Sequence, residues 1–309
     1  MRLAFAGTPE VALPSLDALV ASEHDVVAVV TRPDAPRGRG RTLHPSPVAA
    51  RAAELGIETL KPTKPRDPNF VARLVELAPD CCPVVAYGAL VPQHVIDIPT
   101  HGWVNLHFSV LPRWRGAAPV QHAVLAGDET SGASTFSLVA ALDAGAVYQT
   151  LTEPIGPTDT SGDLLQRLSH SGAALLVATL DGIAAGTLSP VEQPMEGITL
   201  APKISVADAR LDWTLDAATL DRRIRGCSPA PGAWTTFRGD RFKVGSAAVD
   251  AEGATLAPGE VEVTKKQLRV GSGTVPLVLG EVQAQGKKPM RGADWARGVS
   301  IAAGESLGR

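Results

Sequence analysis

RLAFAGTPEVALPSLDALVASEHDVVAVVT, residues 2–31, sets two strand signals around one helix signal. Arg2–Ala6 is a short, mostly apolar stretch. Pro9 then stands where a helix can begin, and Val11, Leu13, Leu16, Leu19 and Val20 recur at helical spacing. Asp25–Thr31 returns to an almost unbroken apolar run, the pattern of a strand covered on both faces. Strand, helix and covered strand in close succession predict an α/β domain with a doubly wound, Rossmann-like parallel sheet.

The same alternation continues downstream. Ile57–Leu60, Cys81–Tyr87, Trp103–His107 and Thr135–Ala140 are expected strands. Ser46-Pro47, Phe70–Leu77 and Ala118–Leu125 mark helices between them, and Leu164–Ala185 closes the region as a long helix. The segment 32–47 is rich in Pro, Gly and Arg and longer than an ordinary connection, so it is expected to lack regular structure. Residues 187–205 carry Pro190, Pro194, Gly197 and Pro202 with little periodicity and read as a linker. Beyond a helix at Asp216–Arg225 come short strands: Ala233–Phe237, Arg241–Val249, Gly259–Thr264, Gln267–Val270 and Val275–Val282. Gly and Pro separate them, as in a small OB-like β-barrel. The expected organisation is therefore a catalytic domain over 1–186, a linker over 187–205 and a barrel over 206–309.

Composition narrows the classes. With 309 residues, 44% hydrophobic and 20% charged, the chain is an ordinary globular protein of two domains. Its longest apolar runs are far too short for a bilayer, and Pro9 and Glu10 interrupt the N-terminal segment before a signal peptide could form, so a cytoplasmic protein is expected. Three cysteines, two of them adjacent, give neither a disulfide framework nor metal spacing and read as buried thiols. Residues 205–309 carry a net charge of +3 against −6 for the remainder, which permits a polyanionic partner.

The turn Gly7-Thr8-Pro9-Glu10 lacks G-x-G-x-x-G, and Glu10 would repel a pyrophosphate at the helix start, which argues against a dinucleotide site. Trp103–Pro112, WVNLHFSVLP, carries more. On an extended strand Asn105, His107 and Ser109 share one face, with Leu106, Phe108 and Val110 on the other. Such a polar face at a strand's carboxyl end is where open α/β sheets receive ligands. Alone, such a face is more often a solvated edge strand. Asp143, on a turn after an apolar run, changes that balance. If the two strands are neighbours, Asp143 orients His107 and raises its pKa, holding the imidazole charged or ready to shuttle a proton. With Asn105 as an amide donor, the set suits addition to a carbonyl by direct transfer, without a covalent intermediate and without a metal.

At these residues the sequence resembles the folate-dependent formyltransferases. Asn105-x-His107-x-Ser109-x-Leu111-Pro112, then Arg115-Gly116-x-x-Pro119 and Leu142-Asp143-x-Gly145, match that family's motifs. The likeness to its members that act on methionyl-tRNA covers essentially the whole chain. Ala6–Pro9, Gly38-Arg39-Gly40, Val85–Gly88, Ala201–Ser205 and Pro229–Ala233 all match in order. The resemblance implies 10-formyltetrahydrofolate as donor and the α-amino group of methionine on initiator tRNA as acceptor, a step of translation initiation. It further implies that Asn105 and His107 stabilise the oxyanion while Asp143 positions His107 and helps proton transfer. Folate would lie near Ala86, Tyr87, Gly88, Leu138 and Leu142, with Ser109, Leu111 and Pro112 shaping the turn at the formyl site. Arg37, Arg39 and Arg41 would meet the RNA, and the barrel would hold tRNA phosphates through Arg222, Arg223, Arg225, Lys265, Lys266, Lys287 and Lys288. A monomer is expected.

Three features depart from the family pattern. Arg41 is followed by Thr42 rather than a second basic residue, and Ala230 replaces an aromatic. Pro83 falls inside an expected central strand, where its missing N–H predicts an edge position, a bulge or an irregular strand start. Formyltransferases acting on glycinamide ribonucleotide or on sugar nucleotides share the catalytic segment, but neither accounts for Gly38-Arg39-Gly40 together with Ala201–Ser205. A non-enzymatic RNA-binding protein would have no need of the Asn/His/Asp set.

Overall fold

A computed structural model describes residues 1–37, 42–302 and 304–308. It divides into two compact units. The first comprises Met1–Pro119, Thr130–Glu153 and Leu165–Ala201; the second comprises Val120–Glu129, Pro154–Leu164 and Pro202–Arg309.

The opening residues form β1 (Arg2–Gly7), α1 (Leu13–Val20) and β2 (Asp25–Val30). Inside the segment expected to be irregular, β3 (Ala35–Arg37) pairs antiparallel with β4 (Thr42–His44). Arg39 and Arg41 lie outside the described residues. Next come α2 (Pro47–Glu54), β5 (Glu58–Leu60), α3 (Pro68–Leu77), β6 (Cys82–Val85), α4 (Gln93–Ile96) and β7 (Trp103–His107). The helix starts follow from capping: Ser46 Oγ accepts from the Ala49 N–H at 3.0 Å and Asp67 caps α3, each with proline next in line. α5 (Pro119–Ala126), β8 (Thr130–Ser137), β9 (Val147–Pro154) and α6 (Ser161–Ala184) complete the region.

Seven strands make one sheet in the order β5-β2-β1-β6-β7-β8-β9. From β5 to β7 all pairs are parallel, and β7 pairs with β8 antiparallel, so the doubly wound sheet carries a mixed edge. The chain winds outward from β1 to β5 and then returns to β6 on the other side of β1. That reversal places a crevice at the carboxyl ends of β1 and β6.

Of the three placements expected for Pro83, the edge position fails and the irregular strand start holds. Pro83 sits in β6, between β1 and β7, and pairs in register with Val104. The ladder toward β1 is interrupted instead: Leu3 bridges Cys81, pairing resumes only at Ala6 with Val84, and Pro83 occupies the gap. Cys81, Cys82 and Cys227 are buried, and burial pushes their thiols up, to about 12 for Cys81 and about 11 for Cys227. They are inert core residues.

The second unit is built on α7 (Ala217–Gly226), capped by Asp216, and on β10 (Trp234–Phe237), β11 (Asp240–Val244), β12 (Ala247–Val249), β13 (Val261–Val263), β14 (Leu268–Val270), β15 (Leu277–Leu279), β16 (Glu281–Ala284) and β17 (Met290–Arg291), then α8 (Gly292–Arg297). Two four-stranded sheets, β10-β11-β16-β17 and β12-β15-β14-β13, exchange chain at Gly245 and Gly280. A side chain at Gly280 would meet Ser246 Oγ, so the strands cross closely there. Trp213, Phe242, Leu268, Leu279 and Trp295 fill the core. The strands expected over Arg241–Val249 and Val275–Val282 are each split at these glycines.

Candidate active site

β7 positions the first two residues of interest. Its alternation holds as period 2 demands: a side chain added at Gly172 of α6 would press on Leu106 and Phe108, so those two face α6, while Asn105 and His107 line a cavity on the opposite side. The cavity, of about 940 Å³, opens at the crevice beside β6 and lies wholly within the first unit. Ala86, Tyr87, Gly88, Leu138, Leu142 and Asp143 also line it. Ser109, Leu111 and Pro112 do not. Ser109 Oγ donates to the Arg113 carbonyl at 2.6 Å, and Ser134 Oγ accepts from the Leu111 N–H while donating to the Ser109 carbonyl. These residues brace the turn behind the cavity rather than its wall.

The chain leaves β6 through Ala86 at φ 48° and Gly88 at φ 82°, which turns the backbone toward the cavity. Thr8 Oγ1 donates to the Tyr87 carbonyl at 2.8 Å and fixes this turn. The Gly7-Thr8-Pro9-Glu10 turn thus has a bracing role. Of five described non-glycine residues at positive φ, three (Ala86, Trp114 and Asp143) belong to this site, where strain of about 1–3 kcal/mol each needs support from neighbours.

His107 and Asp143 meet as the sequence predicts, with Nδ1 3.8 Å from Asp143 Oδ2. Their strands are neighbours, because His107 pairs with Ser134 of β8; Asp143 itself lies in the loop from β8 to β9. The expected pKa rise is corrected. Burial pulls the imidazole below its ordinary 6.5 more strongly than Asp143 lifts it, since His107 is only 7% exposed. His107 Nε2 lies 2.8 Å from the Trp114 carbonyl, which can only accept, so Nε2 carries the proton and Nδ1 is left bare toward Asp143. Asp143 Oδ2 accepts from the Gly116 N–H at 2.7 Å. The half-buried Asn105 carboxamide makes no protein hydrogen bond among the described residues and is available to a ligand. An amide donor and a neutral base beside a carboxylate, at the edge of an apolar cavity, can stabilise a developing oxyanion and remove a proton from the attacking group.

Arg32, Lys64 and Arg66 line the cavity as well and were not foreseen as site residues; basic side chains after β2 and β5 were the only hint. Flat aromatic binding suits Tyr87, Leu90, Val91 and Leu138, and the three cations suit a carboxylate tail. A folate, with its pterin head and glutamate tail, fits both requirements. Among the described residues no group of His, Cys, Asp or Glu is disposed to hold a metal, and no helix is long and apolar enough to cross a membrane. In the second unit Arg225 is tied to Asp221 at 2.8 Å and to the Asp159 carbonyl, while Lys265, Lys266, Lys287 and Lys288 are exposed.

A carboxamide in place of the Asp143 carboxylate tests the charge balance. In Asp143→Asn the lift on His107 is lost, so its pKa falls further. If activity requires neutral His107, the acidic limb of kcat against pH, already below about 6.5 in the parent, moves to lower pH while the plateau drops. A limb that moves upward or stays fixed would contradict this coupling.

Comparison with known proteins gives the family. Residues 1–180 match the family model described as formyl transferase, and residues 203–300 match formyl transferase, C-terminal domain. The methionyl-tRNA formyltransferase of Streptomyces coelicolor is 64% identical over 309 residues, covering 100% of both chains. Among solved structures, an N-formyltransferase from Helicobacter canadensis in complex with folinic acid and dTDP-3-aminofucose superposes with a TM-score of 0.68 at 16% identity, over 91% of this chain and 98% of that one. HypX from Aquifex aeolicus in complex with tetrahydrofolic acid gives 0.63 at 16% identity over 95% of this chain, which spans 46% of that protein. At such identities the likeness is one of fold.

Proposed function

The chain belongs to the formyl transferase family, alongside the methionyl-tRNA formyltransferases, and from that premise we propose that it formylates the α-amino group of methionine on initiator tRNA. The donor is 10-formyltetrahydrofolate, which supplies a formyl carbon as electrophile when bound. The observation that carries the reading is the convergence of Asn105, His107 and Asp143 on one cavity whose walls suit a folate. Asn105 donates to the oxygen that gains charge as the amine attacks. His107 takes the amine proton on Nδ1, where the Asp143 carboxylate steadies it, and the positive charge of the resulting imidazolium favours the oxyanion held by Asn105. The same proton is then delivered to the departing nitrogen of the folate. Burial favours the neutral imidazole, so His107 acts first as base and then returns the proton, in keeping with the proton transfer that family resemblance assigns to the His107–Asp143 pair.

Arg37, Arg39 and Arg41 of the inserted segment, with the exposed lysines of the second unit, are our reading of the RNA contact. We read the protein as a cytoplasmic monomer.

Transfer assays with methionyl initiator tRNA, free methionine and an amino sugar nucleotide test the acceptor. Preferential formylation of the tRNA is expected, and formylation confined to a small amine would overturn the assignment. In the same assay Asn105→Ala is expected to lower kcat by about 10²–10³-fold, the effect of one lost oxyanion donor. A change below threefold would remove Asn105 from the mechanism.

A further inference from the structure

Residues 187–205, expected from composition to be a connector, contain a side chain built into the site. Val191 and Val147 exchange backbone hydrogen bonds in both directions at 2.8 Å, which draws the chain alongside the start of β9, just beyond the Asp143 turn. The half-buried Gln193 then uses its carboxamide completely. Nε2 donates to the Asp143 carbonyl at 2.9 Å and to the Gly145 carbonyl at 2.7 Å. Oε1 accepts from Arg115 Nε at 3.1 Å and from Nη2 at 2.7 Å. The backbone adds to this clamp, since the Arg115 N–H donates to the Thr199 carbonyl and the Ala201 N–H donates to the Arg115 carbonyl.

Two loops are joined by this one side chain. One carries Asp143 at φ 45°, a conformation that an L-residue holds only when its surroundings impose it. The other carries Gly116, whose N–H holds the Asp143 carboxylate from the far side. The two protons of the Gln193 amide land on carbonyls at the turn itself, so the side chain constrains the Asp143 backbone while Gly116 constrains its carboxylate. Only a primary amide of this length supplies two donors and an acceptor in one plane.

We propose that Gln193 is a positioning residue of the formyl transfer reaction, holding the Asp143 and Arg115 loops in the register that keeps the carboxylate on His107. This rests on the reading of the site given above. Gln193→Met keeps the length and removes every hydrogen bond, and Gln193→Ala removes the side chain. In both, kcat for methionyl-tRNA is expected to fall by about 10- to 100-fold, the range of residues that orient a catalytic group at one remove. KM for each substrate should stay within about threefold, and the acidic limb should shift to lower pH because His107 loses part of the lift from Asp143. An NMR titration of the His107 ring in the parent and Gln193→Met proteins reads the same shift without turnover. An unchanged His107 titration, or losses confined to KM or thermal stability with an unmoved pH limb, would overturn the proposal. A displaced titration in a protein that does not formylate methionyl-tRNA supports the clamp and sinks only the acceptor.

Discussion

Alanine at position 107 is expected to lower kcat by about 10³–10⁴-fold, toward the upper end of what a positioned general base contributes. Two losses combine. The group that accepts the amine proton disappears, and so does the imidazolium that would face the oxyanion afterwards. Folate binding should be nearly unaffected, since most of the cavity wall comes from other residues. Single-turnover formylation with saturating donor measures the step. A loss under tenfold would show that the proton leaves by another route and that His107 is a packing residue. The acidic limb should also vanish in the variant, because the group that titrates is gone.

The sequence made some of this legible and concealed the rest for identifiable reasons. The face of β7 was readable because strand periodicity is exact: once Trp103–His107 is extended, Asn105 and His107 must lie together. Asp143 was readable as a turn carboxylate, and its pairing followed from β8 lying beside β7. The boundaries of β8 were not. The strand begins at Thr130, five residues before the expected start, because Ser131, Gly132 and Ser134 carry no apolar alternation. Gly132 is there for close approach, since a side chain would overlap the Leu151 carbonyl of β9. β9 itself went unread: Val147–Pro154 is half polar, and only its position against β8 makes it a strand.

The direction of the His107 shift was misread for a related reason. A sequence names the charge that lifts a pKa but not the burial that lowers it, and here burial dominates. Gln193 lies 50 residues from Asp143 in a stretch of weak periodicity. No local pattern marks such a residue, since its importance comes from which carbonyls the folded chain leaves within reach.

Gly145→Ala is expected to disable the enzyme while leaving most of the fold standing, and the reason lies in backbone rather than side-chain chemistry. A Cβ at this position would overlap the Ser137 carbonyl oxygen, an atom whose peptide is fixed at the end of β8 by the bond from the Leu138 N–H to the Trp103 carbonyl of β7. A flexible side chain could swing aside, but a sheet carbonyl cannot, so the loop must move. That loop is 138–146. It carries Asp143, it is tethered by Gln193 through the Gly145 carbonyl, and it has few buried side chains of its own. Displacement by about 1 Å is enough to cost about 10²-fold in rate when a catalytic group is carried along. Here the carboxylate is drawn away from both His107 and the Gly116 N–H, so a loss of about 10²–10³-fold in kcat is expected. The melting temperature should fall by only a few degrees, because the sheet core of Phe5, Val84, Trp103 and Phe136 is untouched. The measurement is kcat at a temperature well below the transition, beside a thermal melt. Near-parental kcat would mean that the Asp143 turn tolerates displacement, and that His107 works without the carboxylate held where this structure places it.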